Sequence, residues 1–280
     1  MKLASYEFQN AAHYGMVWEG RVYRLGSRIT EFLELRAGLL QLPHVNLAAL
    51  PSLPLGQVAL LPPVPEPEKI ICVGLNYRDH AIEAGVEIPK YPVLFAKYRN
   101  ALTGPYSPIV LPRVSQQVDF EAELAVVIGR RGRHVAEKDA MDYVAGYMAL
   151  NDVSARDYQF RGPQWLQGKT FDTFAPCGPF LITSDEIADP HALGIRLRLN
   201  GEVMQESSTR ELIFGIPRLI SYLSDIVTLA PGDIISTGTP PGVGYARKPA
   251  VYLKAGDVVE VEIDQVGTIR NPVVSEPPAS

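Results

Sequence analysis

The segment FEAELAVVIG, residues 120–129, constrains this chain more than any other stretch. Successive side chains of a strand point to opposite faces. Asp119, Glu121 and Glu123 therefore share one face, ahead of Ala125 and Val127, while Phe120, Ala122, Leu124 and Val126 line the other. A strand this apolar on both faces belongs inside a sheet-based core, and its start brings two or three carboxylates together. Like charges at that spacing repel, and burying them without compensation is costly. A divalent cation removes both problems. Carboxylates with no neighbouring His or Cys favour a hard ion, Mg²⁺ or Mn²⁺ with Ca²⁺ possible in vitro, over zinc. The competing reading is a solvated acidic strand end, and Asp119 is assigned to it.

A second segment points the same way. VSARDYQF, residues 153–160, reads as a helix. Asp152, Arg156 and Gln159 are then spaced i, i+4, i+7 along one helix face. A carboxylate there can ligate a metal, and the guanidinium and amide beside it can hold a substrate carboxylate. The plainer alternative is a surface Asp–Arg pair with Asp152 near the helix N-cap.

The 280 residues, 46% hydrophobic and 20% charged, allow one large domain or a large domain with a small companion. The net charge of −5 leaves no cationic surplus for phosphates, so nucleic acid is excluded as the main partner. The run Arg130, Arg131, Arg133, His134 reads as a solvated turn. Residues 1–15 hold no apolar signal region, and no stretch reaches the length of a membrane span. Cys72 and Cys177 form no framework, so a reduced, cytoplasmic protein is expected.

Residues 14–25 read as a hairpin turning near Glu19-Gly20, and residues 29–40 as a short amphipathic helix. Seven prolines between Pro43 and Pro67 mark a linker or extended arm. The expected division is a small N-terminal domain over 1–66 and a catalytic domain over 67–280. Strands are expected at 69–77, 120–129, 233–238 and 257–264, and a hairpin at 195–206 turns on Asn200-Gly201. Residues 140–152 mix helical and strand signals. Residues 78–85 look helical, as do 210–229 with a break at Pro217. Strands dominate without regular βα alternation, so the fold class is α+β, mostly β: a mixed β-sandwich or roll.

The motifs VGLNYRDHAIEAG (73–85), DFEAELAVVIG (119–129), YMALNDVSARDYQ (147–159), GKTFDTFAPCGP (168–179), NGEVMQESSTRELIF (200–214) and GDIISTGTPPGVG (232–244) occur in a telling order. From Lys69 to about Val274 the chain resembles the fumarylacetoacetate hydrolase family, in its acylpyruvase-like branch. That resemblance implies metal ligands at Glu121, Glu123 and Asp152, the residues the alternation and helix arguments select. It also implies substrate contacts at Arg156, Gln159, Lys169 and the backbone near Thr239, a catalytic dyad at His80 and Glu83, and a homodimer. Many relatives carry Lys-Pro where this chain has Lys97-Tyr98, which leaves Lys97 without an assigned role.

His80 and Glu83 are i, i+3 on an expected helix, and a carboxylate beside imidazole raises its basicity. Asn76 and Gly85 would let that segment close over a site. Gly168-Lys169-Thr170 is not a P-loop, because Pro163 stands where the motif needs glycine. Lys169 could instead stabilise an enolate. The resulting expectation is a metal-dependent hydrolase of a C–C bond in an acylpyruvate or related small 2-keto acid. The substrate would be oriented by Arg156, Gln159 and Lys169. His80 would activate water, and the metal would act as Lewis acid on the enolate. Oxaloacetate decarboxylation and keto–enol or dienedioate isomerisation use the same enolate chemistry and stand as alternatives. A non-catalytic metal-binding protein is the reading from a different class.

Overall fold

The structure, a computed structural model, describes residues 1–27, 29, 33, 46–79 and 87–278. Among the described residues no helix is long and apolar enough to cross a membrane.

Most strands join one 12-stranded sheet. Its path runs Ser52–Pro54, Arg21–Gly26, Ala11–Trp18, Lys2–Phe8, Ala175–Thr183, Val144–Asn151, Ala122–Ile128, Ile234–Ser236, Ile70–Gly74 and Val93–Lys97, with Ala59–Leu60 paired to Lys2–Phe8 and Leu102–Thr103 to Ala175–Thr183 off that path. A five-stranded sheet packs against it, ordered Glu202–Ser208, Gly194–Leu199, Val258–Ile263, Gly267–Ser275 and Ile109–Leu111. The expected mostly-β, two-layer class is what forms.

The strand Ala122–Ile128 is buried along its whole length. Leu124, Val126 and Ile128 enter the core shared with Leu197, Val259 and Val261 of the smaller sheet and with Leu219 and Leu223 of the helix Ile216–Ile226. Ala125 and Val127 face a second core with Cys72, Leu150, Cys177 and Ile234. The alternation read from sequence therefore holds, and Glu123 shares the face of Ala125 and Val127, turned away from the smaller sheet.

Several expected elements change on closer view. Residues 140–152 resolve their mixed signal into a 3₁₀ helix, Glu137–Tyr143, and the strand Val144–Asn151. The helix expected over 153–160 shrinks to Arg156–Gln159. Ser154 and Ala155 instead pair with Asp119 and Val118, and Arg156 N donates to Gln117 O at 2.9 Å. Pairing with a neighbouring strand outweighs weak local helix propensity there. Pro217 does not break a helix. It is the second residue of the helix Ile216–Ile226, within the first turn, where its missing N–H costs nothing. The amphipathic helix expected over 29–40 lies largely outside the described residues.

The first strands are not set apart from the sheet. Lys2 and Leu3 pair with Ile182 and Leu181, so the N-terminal strands extend the same hydrogen-bonded surface. Cys72 and Cys177 are both free and buried.

Leu124 is wholly buried at the contact of the two sheets. Leu124→Ala should lower unfolding stability by about 2–5 kcal/mol in denaturant titration. A loss under about 1 kcal/mol would show that this contact is not the tight core described.

Candidate metal and substrate site

The site forms where the strand Ala122–Ile128 begins. Glu121 immediately precedes it, Glu123 lies within it, and Asp152 follows its neighbour Val144–Asn151. Antiparallel pairing places Ala122 opposite Asn151, which brings the three acids to one end of the sheet. One oxygen from each lies within 4.8 Å of the others, and all three residues are buried. Asp152 N donates to Glu121 O at 2.8 Å, and Asn151 Oδ1 accepts from Glu121 N at 3.0 Å. Main-chain bonds therefore fix the acids' separation.

Asp152 does not reach the site on a helix face. It sits at a strand end, and only Arg156 and Gln159 come from the short helix. Asp152 comes beside Glu121 and Glu123 through strand pairing, not through the i, i+4, i+7 helical spacing expected from sequence.

Buried cations compensate the acids. Lys169 Nζ bridges Glu121 Oε2 at 2.7 Å and Asp152 Oδ2 at 2.8 Å. Lys97 Nζ meets Asp152 Oδ1 at 2.7 Å. It also donates to the backbone carbonyls of Val153 at 3.0 Å, Phe174 at 2.8 Å, and Lys169. Lys97 thus ties Asp152 to the short helix Leu166–Lys169 that carries Lys169. Arg156 Nη1 reaches Glu121 Oε1 at 2.7 Å and Gln159 Oε1 at 2.8 Å.

These contacts divide the proton affinities. Burial, then the charges of Asp152 and Glu121, push the Glu123 carboxyl well above the usual carboxylate range. Burial acts on Glu121 in the same sense, but Lys169 and Arg156 outweigh it and hold that carboxyl low. Burial opposes the Lys169 charge, yet Asp152 and Glu121 outweigh it and raise the ammonium above its ordinary value. Burial dominates at Lys97 and lowers it.

The loop after Ile234–Ser236 completes the cradle. Ser236 Oγ donates to Glu123 Oε2 at 2.5 Å, and Gly238 N donates to the same oxygen at 2.9 Å. Gly238 has φ +105°, and a Cβ there would lie 2.8 Å from Asn76 Cβ, so only glycine brings that N–H in. Gln205 spans the layers. Its Oε1 accepts from Ala122 N at 2.9 Å, and its Nε2 donates to Thr239 Oγ1 at 2.9 Å and Pro240 O at 2.8 Å.

Glu121, Glu123, Arg156, Gln159, Lys169 and Thr239 line one cleft, walled by Phe95, Phe160, Trp165 and Tyr245. The cleft thus gathers Glu121, Glu123, Arg156, Gln159, Lys169 and Thr239, and Asp152, which does not line it, is joined to it through Lys169 at 2.8 Å. His80 and Glu83 lie outside the described residues. Asp119 was expected in water, yet it is fully buried and paired with Arg156. The β-pairing of Val118–Asp119 with Ser154–Ala155 covers it. Lys97, Ser236 and Gln205 were not selected from sequence. A lysine ending the apolar strand VLFAK was the one available signal among them.

The donor set fits a hard divalent cation: three carboxylates, all oxygen, converging where two are already drawn to one ammonium.

Comparison with known proteins gives this geometry a family. A sequence model described as fumarylacetoacetate hydrolase C-terminal matches residues 69–274. A protein of Xenopus laevis named oxaloacetate tautomerase fahd2, mitochondrial, is 53% identical over 256 residues, 89% of this chain and 79% of its own. The Homo sapiens oxaloacetate tautomerase FAHD2A, mitochondrial, is 52% identical over 253 residues, 89% of this chain and 81% of its own. Among solved structures, maleylpyruvate hydrolase from Sphingobium sp. SYK-6, in complex with manganese(II) and pyruvate, superimposes with TM-score 0.84 at 33% identity, covering 99% of this chain and 100% of that one. The 2-hydroxyhepta-2,4-diene-1,7-dioate isomerase of Mycobacterium marinum does so with TM-score 0.81 at 33% identity and 99% coverage of both chains. The mitochondrial names of the two relatives overturn the cytoplasmic expectation, which rested on reduced thiols and the lack of an export signal, features that do not separate reducing compartments. The chain belongs to the fumarylacetoacetate hydrolase family.

Proposed function

We propose that this protein catalyses keto–enol tautomerisation of a small 2-keto acid, with oxaloacetate its first candidate, at a site holding Mg²⁺ or Mn²⁺ on Glu121, Glu123 and Asp152. The observation that carries this reading is 53% identity across 89% of the chain to a protein named oxaloacetate tautomerase. It favours isomerisation over the C–C hydrolysis expected from sequence.

Tautomerisation is a balanced 1,3-proton shift. The enol gives up the proton on its 2-oxygen, the C2–O double bond forms, and C3 takes a proton. The bound cation would supply Lewis acidity at the 2-oxygen and the adjacent carboxylate. Arg156 and Gln159 orient that carboxylate, the guanidinium through Nη1, since its Nε and Nη2 are held by Asp119. Lys169, whose ammonium reaches both Glu121 and Asp152 and which lines the cleft, is placed to donate to the 2-oxygen as negative charge grows there. His80, oriented by Glu83, is proposed to carry the proton at C3. Thr239, fixed by Gln205, borders the substrate's other end. The aromatic walls of Phe95, Phe160, Trp165 and Tyr245 give the cleft apolar sides next to its charged floor.

A second reading is hydrolysis of an acylpyruvate, with His80 activating water. It draws on the likeness to maleylpyruvate hydrolase holding manganese and pyruvate. The homodimer implied by the family is also a proposal, tested by light scattering.

Decay of enol-oxaloacetate, followed by its ultraviolet absorbance, should accelerate with enzyme and Mg²⁺ or Mn²⁺ and return to the buffer rate with EDTA. Lys169→Met should slow it by about 10²-fold or more. No acceleration of enol decay, together with cleavage of an acylpyruvate, would replace this reading by the hydrolytic one. Separately, Glu123→Gln should weaken Mn²⁺ binding by more than the roughly 10–100-fold typical of losing an outer-sphere partner, as read by electron paramagnetic resonance of the free ion. Unchanged Mn²⁺ affinity would remove Glu123 from the ligand set.

A further inference from the structure

Asp119 stands two residues before Glu121, outside the acid triad, and its carboxylate collects donors from three segments. Oδ1 accepts from Phe120 N at 2.8 Å and Gly244 N at 2.7 Å. Oδ2 accepts from Tyr245 N at 3.0 Å and Arg156 Nε at 2.9 Å, and Arg156 Nη2 lies 2.8 Å from the same oxygen. The side chain has no solvent exposure. A Cβ on Gly244 would stand 2.5 Å from Asp119 Oδ1 and 2.0 Å from Val251 O, so the loop approaches this closely only through glycine.

Arg156 is consequently held on two sides. Asp119 takes the Nε and Nη2 edge, and the Tyr245 ring covers the guanidinium face with its centroid 4.4 Å away. Nη1 is left directed at Gln159 and Glu121 on the cleft lining. An arginine side chain gives up much rotamer freedom to hold one pose, and a buried carboxylate is tolerated only with a partner. Each residue therefore settles the other.

We propose that Asp119 is the positioning residue for Arg156: it sets the guanidinium to meet the substrate carboxylate, and through Gly244 and Tyr245 it couples that pose to the 239–246 loop. This rests on the reading of Arg156 as the carboxylate-binding group. Asp119 does not touch the reacting atoms, so its loss acts on substrate binding before metal binding.

The experiment compares full-length wild type with Asp119→Asn in three readouts: Mn²⁺ affinity, pyruvate affinity of the Mn²⁺-loaded protein by calorimetry, and the Arg156 Nε–H resonance of the metal-free protein, assigned with Arg156→Lys. Expected is a pyruvate affinity about tenfold weaker or more, Mn²⁺ affinity held within about threefold, and a shifted, faster-exchanging Nε–H. With oxaloacetate, KM should rise more than kcat falls, the mark of lost uniform binding. Parallel loss of Mn²⁺ affinity would overturn the proposal, because Asp119 would then act through the triad. So would unchanged pyruvate affinity with a displaced Nε–H, or an undisturbed Nε–H. If wild type binds Mn²⁺ but not pyruvate, the carboxylate-binding reading of Arg156 fails, and the Nε–H signal alone still decides whether Asp119 sets the guanidinium. Should Asp119→Asn not fold, Tyr245→Leu removes the face contact while keeping the backbone N–H on Asp119. Weaker pyruvate binding and a shifted Nε–H are expected of it, and no change in either would overturn the coupling to the loop.

Discussion

Buried charge is the constraint around which this molecule is organised. Asp119, Glu121, Glu123 and Asp152 are withdrawn from water together, and Lys97, Arg156 and Lys169 are withdrawn with them. Four acids against three bases leave one negative charge if all are ionised, and the raised Glu123 is where the imbalance is absorbed. Removing one partner from such an arrangement exposes the rest to an uncompensated desolvation cost. Losing any member is therefore costly, and the fold that encloses the cluster must supply every element at fixed spacing.

The sheet does this with few parts. Pairing of Ala122–Ile128 with Val144–Asn151 sets the acids' separation, and pairing with Ile234–Ser236 delivers Ser236 and Gly238 to Glu123. Lys97 closes the far strand of the sheet and ties Asp152 to the short helix bearing Lys169. Gln205 joins the smaller sheet to the cleft. A divalent cation added to this frame would turn the net charge positive, which suits an anionic keto acid. The same frame is compatible with tautomerisation, decarboxylation or hydrolysis, since all three draw on stabilised negative charge at one oxygen. What separates them is the handling of one proton or one water.

Much of this was legible in the sequence because period-2 alternation is a backbone property. Glu121 and Glu123 could be placed on one face from spacing alone, and both cores confirm the assignment. Asp152 was reached by a helical spacing that the backbone rejects, since Ser154 and Ala155 pair with residues some 36 positions earlier. Long-range pairing of this kind leaves no local trace. Asp119 shows the same limit: its alternation was visible, but the covering strand and the Gly244–Tyr245 loop that bury it come from distant segments. Lys97 was legible only as a charge ending an apolar strand. Its three carbonyl partners come from other parts of the chain.

The most direct test of the central claim is a crystal structure of the protein grown with Mn²⁺, with the ion located by anomalous scattering. The account predicts a single strong peak coordinated by oxygens of Glu121, Glu123 and Asp152, with the Lys169 ammonium moved off its bridge between Glu121 and Asp152. A peak elsewhere, or Lys169 still bridging the acids with no ion among them at saturating Mn²⁺, would contradict it.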